Sequence, residues 1–191
     1  MKGILFTEPM FNAAIKEIKT KTRRIMNPQP KLVFQSEKEF LEEINIRPSE
    51  LRDSFKPRYK VGETVYLKEP YIKLPNGVVL FKHEERDKII VGDKYKWINK
   101  LFMPAKYARY FIEITSVRCE RLQDISDEDC LKEGCYDGKF GKTFDGINHY
   151  NYSQQAYAAL INKIHGKGTW ESNPYVWVYD FKLVNNDLKR V

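Results

Sequence analysis

A chain of 191 residues, 42% hydrophobic and 31% charged, has the size and composition of one globular domain with a buried core, which excludes a disordered or fibrous polypeptide. Three cysteines without paired spacing exclude a disulfide framework, and no apolar run approaches the ~20 residues of a membrane helix, so a cytoplasmic chain without membrane contact is expected. The net charge of +7 favours anionic partners, nucleic acids and nucleotides above all. That charge is uneven: residues 16–31 hold six basic side chains against Glu17 alone, whereas residues 37–53 hold more acid than base.

Ile4-Leu5-Phe6 reads as a first strand, and Thr7 as the cap of a helix opening at Glu8-Pro9 and running to about Lys19. The start lacks the apolar stretch of a signal peptide. Residues 28–57 read as a peripheral insertion. It opens on a proline pair and holds a capping box, Ser36 to Glu39, before a short acidic helix. A strand is expected over Tyr59–Lys68, after a turn at Gly62. Asn76-Gly77 between two apolar runs predicts a hairpin of residues 71–74 and 78–81.

Within Lys82–Lys100 the only regular element expected is a strand at Lys88–Val91. Arg109–Leu122 reads as a long strand whose apolar phase flips at Thr115-Ser116, the mark of a bulge. Ser126 caps a short helix ended by Gly134, and residues 136–152 read as a long loop. Ser153 is expected to cap a helix that closes at Gly166, with Tyr157, Leu160, Ile161 and Ile164 on its apolar face. A final strand spans Tyr175–Val184. Strands near both ends with helices between predict an α+β class, a small mixed β-barrel with flanking helices in a single domain over 1–191.

The most informative segment for chemistry is Lys19-Thr20-Lys21-Thr22-Arg23-Arg24. In an extended chain Lys19, Lys21 and Arg23 share one face, and Thr20, Thr22 and Arg24 the other, unless a helix end after Lys19 lets its side chain converge with Thr22. A desolvated lysine can act as a base, a threonine hydroxyl as nucleophile or donor, and an arginine as phosphate or carbonyl clamp. By composition alone the segment is a solvated basic turn. Cys130 and Cys135 stand five apart, and His83, His149 and His165 are scattered. Zinc spacings, Walker motifs and G-x-G-x-x-G are missing, so neither metal nor cofactor is expected.

The pattern Lys19-x-x-Thr22-x-Arg24 resembles the Lys-x-x-Thr-x-Arg signature of the ASCH family, within the PUA-like superfamily. Val61-Gly62-Glu63 with Leu67-Lys68-Glu69, Phe102-Met103-Pro104, Leu122-Gln123-Asp124 with Glu133-Gly134, and Trp170 through Asn173-Pro174 follow in the family's order. The set resembles a subgroup common in phages and prophages. The resemblance covers most of the chain outside residues 28–57 and 136–152. It implies a PUA-like barrel with a cleft for RNA, a nucleotide or a modified base.

Some small members with a similar signature hydrolyse N4-acetylcytidine. The resemblance carries that role to Lys19, Thr22 and Glu133. The first functional expectation is therefore an RNA- or nucleotide-binding domain with a basic cleft. The alternatives are an amidohydrolase of N4-acylated cytidines and, third, a ribonuclease. Arg24 is expected at the ligand. Lys21, Arg23 and Lys106 are candidate phosphate contacts. Glu69 is a candidate partner of Arg24, and Trp170 a candidate stacking platform worth ~1–3 kcal/mol per base.

Overall fold

The computed structural model describes residues 1–30, 56–84, 87, 90, 91 and 95–184. Its centre is a five-stranded mixed sheet in the order β1-β3-β6-β9-β2. These strands are β1 (Gly3–Leu5), β2 (Lys21–Ile25), β3 (Thr64–Lys68), β6 (Phe111–Arg121) and β9 (Tyr175–Val184). β1 runs parallel to β3, and the other pairs are antiparallel. Two hairpins stand outside this sheet: β4 (Tyr71–Lys73) with β5 (Val79–Phe81), and β7 (Tyr136–Gly138) with β8 (Gly141–Thr143). Among the described residues α1 (Glu8–Ile15), α2 (Asp127–Lys132) and α3 (Ser153–His165) pack around the strands. The class is thus α+β. Among the described residues β1 and β2 remain edge strands, so strand pairing does not close a barrel.

Alternation along β9 splits the interior in two. Tyr179 and Phe181 enter a core with Ile4, Phe6, Phe11, Val65, Leu67 and Ile114, which α1 covers. Val176 and Val178 enter a second core with Cys130, Tyr157 and Ile161, which α2 and α3 cover. Both faces of β9 are therefore buried, as a strand flanked by helices requires. The long strand β6 shifts register between Ile114 and Ser116, so the phase change of its sequence is a bulge.

Several elements depart from the sequence pattern. α1 stops at Ile15, short of Lys19, because Glu17 takes a left-handed conformation (φ 57°) and the N–H groups of Ile18 and Lys19 fold back onto Ala13 O. The loop expected over 136–152 contains the β7–β8 hairpin. Its ladder continues into a bridge from Lys142 to Tyr150. Gly141, at φ 134°, lets that bridge close, since a Cβ there would lie 2.5 Å from Tyr150 O. Tyr152, not Ser153, holds the cap position of α3, and Ser153 is the first helical residue, buried.

Strand β3 begins only at Thr64, after a turn that Glu63 N–H closes onto Lys60 O. Ile90 and Val91 are helical where a strand was expected over Lys88–Val91, Lys88 and Ile89 lying outside the described residues. The capping box at Ser36 and its helix also lie outside them. Among the described residues no helix is long and apolar enough to cross a membrane.

Candidate functional site

Strand β2 is an edge strand, and what it carries depends on parity. One face turns to α2. There Lys21 Nζ lies 2.9 Å from Asp129 Oδ1 and 2.9 Å from Asp180 Oδ1. Arg23 Nε donates to Glu120 Oε1 at 2.7 Å, its Nη2 pairs with Asp129, and its Nη1 lies 3.3 Å from Glu133 Oε1. Arg118 joins the same cluster through Asp129, Glu120 and Asp180. Burial alone would raise the Asp129 carboxyl, but hydrogen bonds from Lys21 and Arg23 outweigh it and hold it below the usual carboxylate range. Two of the three side chains expected at phosphates, Lys21 and Arg23, are therefore neutralised inside the protein.

Lys19 precedes β2 and is fully buried. Its ammonium donates to Lys21 O at 2.7 Å, Glu133 O at 2.9 Å and Glu133 Oε2 at 2.5 Å, so all three hydrogens have acceptors. Burial lowers its pKa, and the Glu133 carboxylate opposes that shift. Local backbone geometry delivers Glu133 to this point. It is the C-cap residue that follows α2, and Gly134 (φ 103°) turns the chain under Lys19, where a Cβ would sit 3.6 Å from the lysine's own Cβ. Thr20 N–H donates to Lys132 O at 2.9 Å, and Thr20 O accepts from Phe181 N–H at 2.8 Å, fixing the segment between helix and sheet.

Thr22 and Arg24 face the other way. Arg24 Nη2 crosses from β2 to the opposite edge strand and donates to Leu5 O at 2.6 Å. Its guanidinium lies 5.6 Å from the centroid of the Phe6 ring. The two edges of the sheet thus approach each other across this one side chain, with a cavity on either side of it. The larger, about 480 Å³, is lined by four cations, Arg24, Lys56, Arg58 and Lys68, with Tyr59, Trp177 and Tyr179. No carboxylate is among the described residues that line it.

The smaller, about 200 Å³, is lined by Thr22, Arg24, Lys100, Glu133, Tyr157 and His165 among others. Thr22 is buried and lines this cavity. Lys19 stands behind Glu133, outside the lining of this cavity.

The remaining expected site residues lie elsewhere. Glu69 is fully buried and takes a bidentate pair from Arg109, at 2.9 and 2.7 Å, instead of meeting Arg24. Burial raises its pKa, against the hydrogen bonds from Arg109. Trp170 lines neither cavity. Its backbone N–H donates to Asn162 Oδ1 at 2.9 Å, and the indole sits edge-on to Tyr157, 6.2 Å between centroids. It anchors the loop before β9 behind the smaller cavity. Lys106 Nζ lies over the Tyr107 ring, 5.2 Å from its centroid.

Three lining residues were missed in the sequence. Tyr157 has the periodicity of a core position, and its ring is packed as one. Its hydroxyl, however, is the one buried side-chain polar atom without a partner among the described residues. Lys100 comes from a short 3-10 turn (Lys100–Phe102), and His165 ends α3. Nothing in the local pattern at either position signals a site. Comparison with family models, curated proteins and solved structures finds no match.

Proposed function

We propose that this chain binds a nucleotide or a stretch of nucleic acid in the cleft between β1 and β2. The observation that carries this reading is the larger cavity, whose described lining brings four cations and three aromatic rings together with no carboxylate. Phosphate groups need such a charge balance, and bases stack on such rings. A PUA-like barrel of the ASCH family belongs to the same proposal. Five strands whose edges meet across Arg24 are compatible with a barrel opened at its binding cleft.

Anisotropy titrations of single-stranded RNA, single-stranded DNA and mononucleotides at about 50 and 200 mM salt test the reading. Affinity should fall steeply as salt rises. If none of the three binds at low salt, the cleft is not a nucleotide site.

A second reading, hydrolysis of an N4-acylated cytidine, is favoured by the short Lys19–Glu133 contact, with Glu133 and Thr22 both lining the smaller cavity. In that reaction Thr22 Oγ1 attacks the acyl carbonyl, Glu133 transfers the proton to the leaving amine, and water later releases the acyl group as a carboxylate. Lys19 and Arg23 hold the Glu133 carboxylate in place. Chromatography of N4-acetylcytidine incubated with the protein should show cytidine and acetate. Turnover that survives unchanged in Thr22→Val would exclude this mechanism.

A further inference from the structure

Three cations surround the Phe6 residue, and only one of them is neutralised. Lys19 Nζ lies 5.3 Å from the ring centroid and is paired with Glu133. Arg24 donates to the carbonyl of Leu5, and Lys100 Nζ donates to the next carbonyl, Phe6 O. Both therefore arrive at consecutive peptide oxygens where β1 ends. Neither has a carboxylate partner among the described residues. Both line the smaller cavity, and His165 lines it with them.

Carbonyl oxygens orient a cation but leave its charge in place. Two like charges held together in a partly buried cleft repel each other unless an anion joins them. The electrostatics agree. Burial lowers the pKa of Lys100, and Arg24 lowers it further against the opposing pull of Glu8. Burial lowers His165, and Arg24 adds to that shift. Of the carboxylates acting on the cluster, Glu133 is already held by Lys19 and Arg23, and Glu8 pulls on Lys100 without a salt bridge to it among the described residues.

We propose that Arg24 and Lys100 form an oxyanion site in the smaller cavity that holds the phosphate of a nucleotide. The inference rests on the cleft being a nucleotide site and adds where the phosphate sits. Arg24, shared by both cavities, supplies the planar fork and Lys100 a point charge. Thr22 and the Tyr157 hydroxyl are left to face the uncharged part of the ligand.

Inorganic phosphate is the first probe. The imidazole of His165 is followed by NMR during pH titrations at constant ionic strength, with phosphate, acetate or chloride as the anion. Phosphate should move the His165 pKa upward. The shift should vanish in Lys100→Met and return in Lys100→Arg, with melting curves confirming that both variants fold. No shift in the wild type, or an equal one in Lys100→Met, overturns the site. An equal shift with acetate overturns its assignment to phosphate.

The second probe compares cytidine with cytidine 5′-monophosphate by calorimetry. The phosphate should add about tenfold or more in affinity, the worth of a charge-assisted hydrogen bond, and Lys100→Met should remove most of that gain. If cytidine and its monophosphate bind equally, the nucleotide reading of the cleft stands and this site falls. If neither binds while phosphate still moves His165, the anion site stands and the nucleotide reading falls.

Discussion

Each face of β2 carries an arginine, and the two arginines serve opposite ends. Lys21 and Arg23 look toward α2 and meet Asp129, Glu120, Glu133 and Asp180. Thr22 and Arg24, one residue out of phase, look into the cleft and meet backbone carbonyls, an aromatic ring and open volume. A run of basic residues is therefore not one basic patch. The two-residue period of a strand sorts it into charges that hold the protein together and a charge left for something outside it.

Substitutions on the two faces test this division, and the largest effect belongs to the satisfied one. Glu133→Ala leaves Lys19 and Arg23 buried and short of a counter-charge, and should cost about 3–5 kcal/mol of stability by denaturant titration. Arg24→Met removes one hydrogen bond to Leu5 O and should cost only ~1 kcal/mol, but should weaken nucleotide binding about tenfold or more. If Arg24→Met destabilises as much as Glu133→Ala does, the cleft-facing cation is structural and the contrast collapses.

Acid titration sharpens the same comparison from the satisfied side. The folded Asp129 carboxyl sits below its ordinary value of 3.8, so between the two values the unfolded chain binds more protons. Its contribution to stability is fully present above 3.8 and is lost as the pH falls through the lower, folded value. Asp129→Asn should flatten this acid limb of the stability curve while leaving the slope near neutral pH unchanged.

Local patterns made much of the framework legible. Asn76-Gly77 marks the β4–β5 hairpin, the broken phase at Thr115-Ser116 marks the bulge of β6, and the aromatic alternation of Tyr175–Val184 marks β9. The β7–β8 hairpin was not legible, because its strands are three residues long and carry Gly138 and Gly141 in place of β-branched residues. At the site, parity along β2 was readable, but the partners were not. Glu120 and Asp129 lie 97 and 106 residues from Arg23, and no spacing rule reaches that far. Lys19 and Glu133 were brought together by a family resemblance, not by periodicity. Lys100 sat in a stretch with no legible pattern, so its place beside Arg24 emerged only from the fold.

The smallest effect concerns Tyr157, which belongs to both regions. Its ring packs with Phe144 and Trp170 in the core beneath α3, while the residue lines the smaller cavity. Burial raises the pKa of the hydroxyl well above the ordinary range, and the neighbouring Glu133 carboxylate adds to the shift, so it remains a neutral donor. A buried hydroxyl without a partner carries a desolvation cost that no internal hydrogen bond offsets. Tyr157→Phe keeps the ring and removes the cost, so the free protein should be as stable as wild type or more stable by up to ~1 kcal/mol. A loss of more than about 1 kcal/mol would mean that the hydroxyl serves the core and not the cavity. If stability holds while nucleotide affinity falls, the acceptor for this hydroxyl is the ligand itself, and the open face of β2 extends across the cavity to α3.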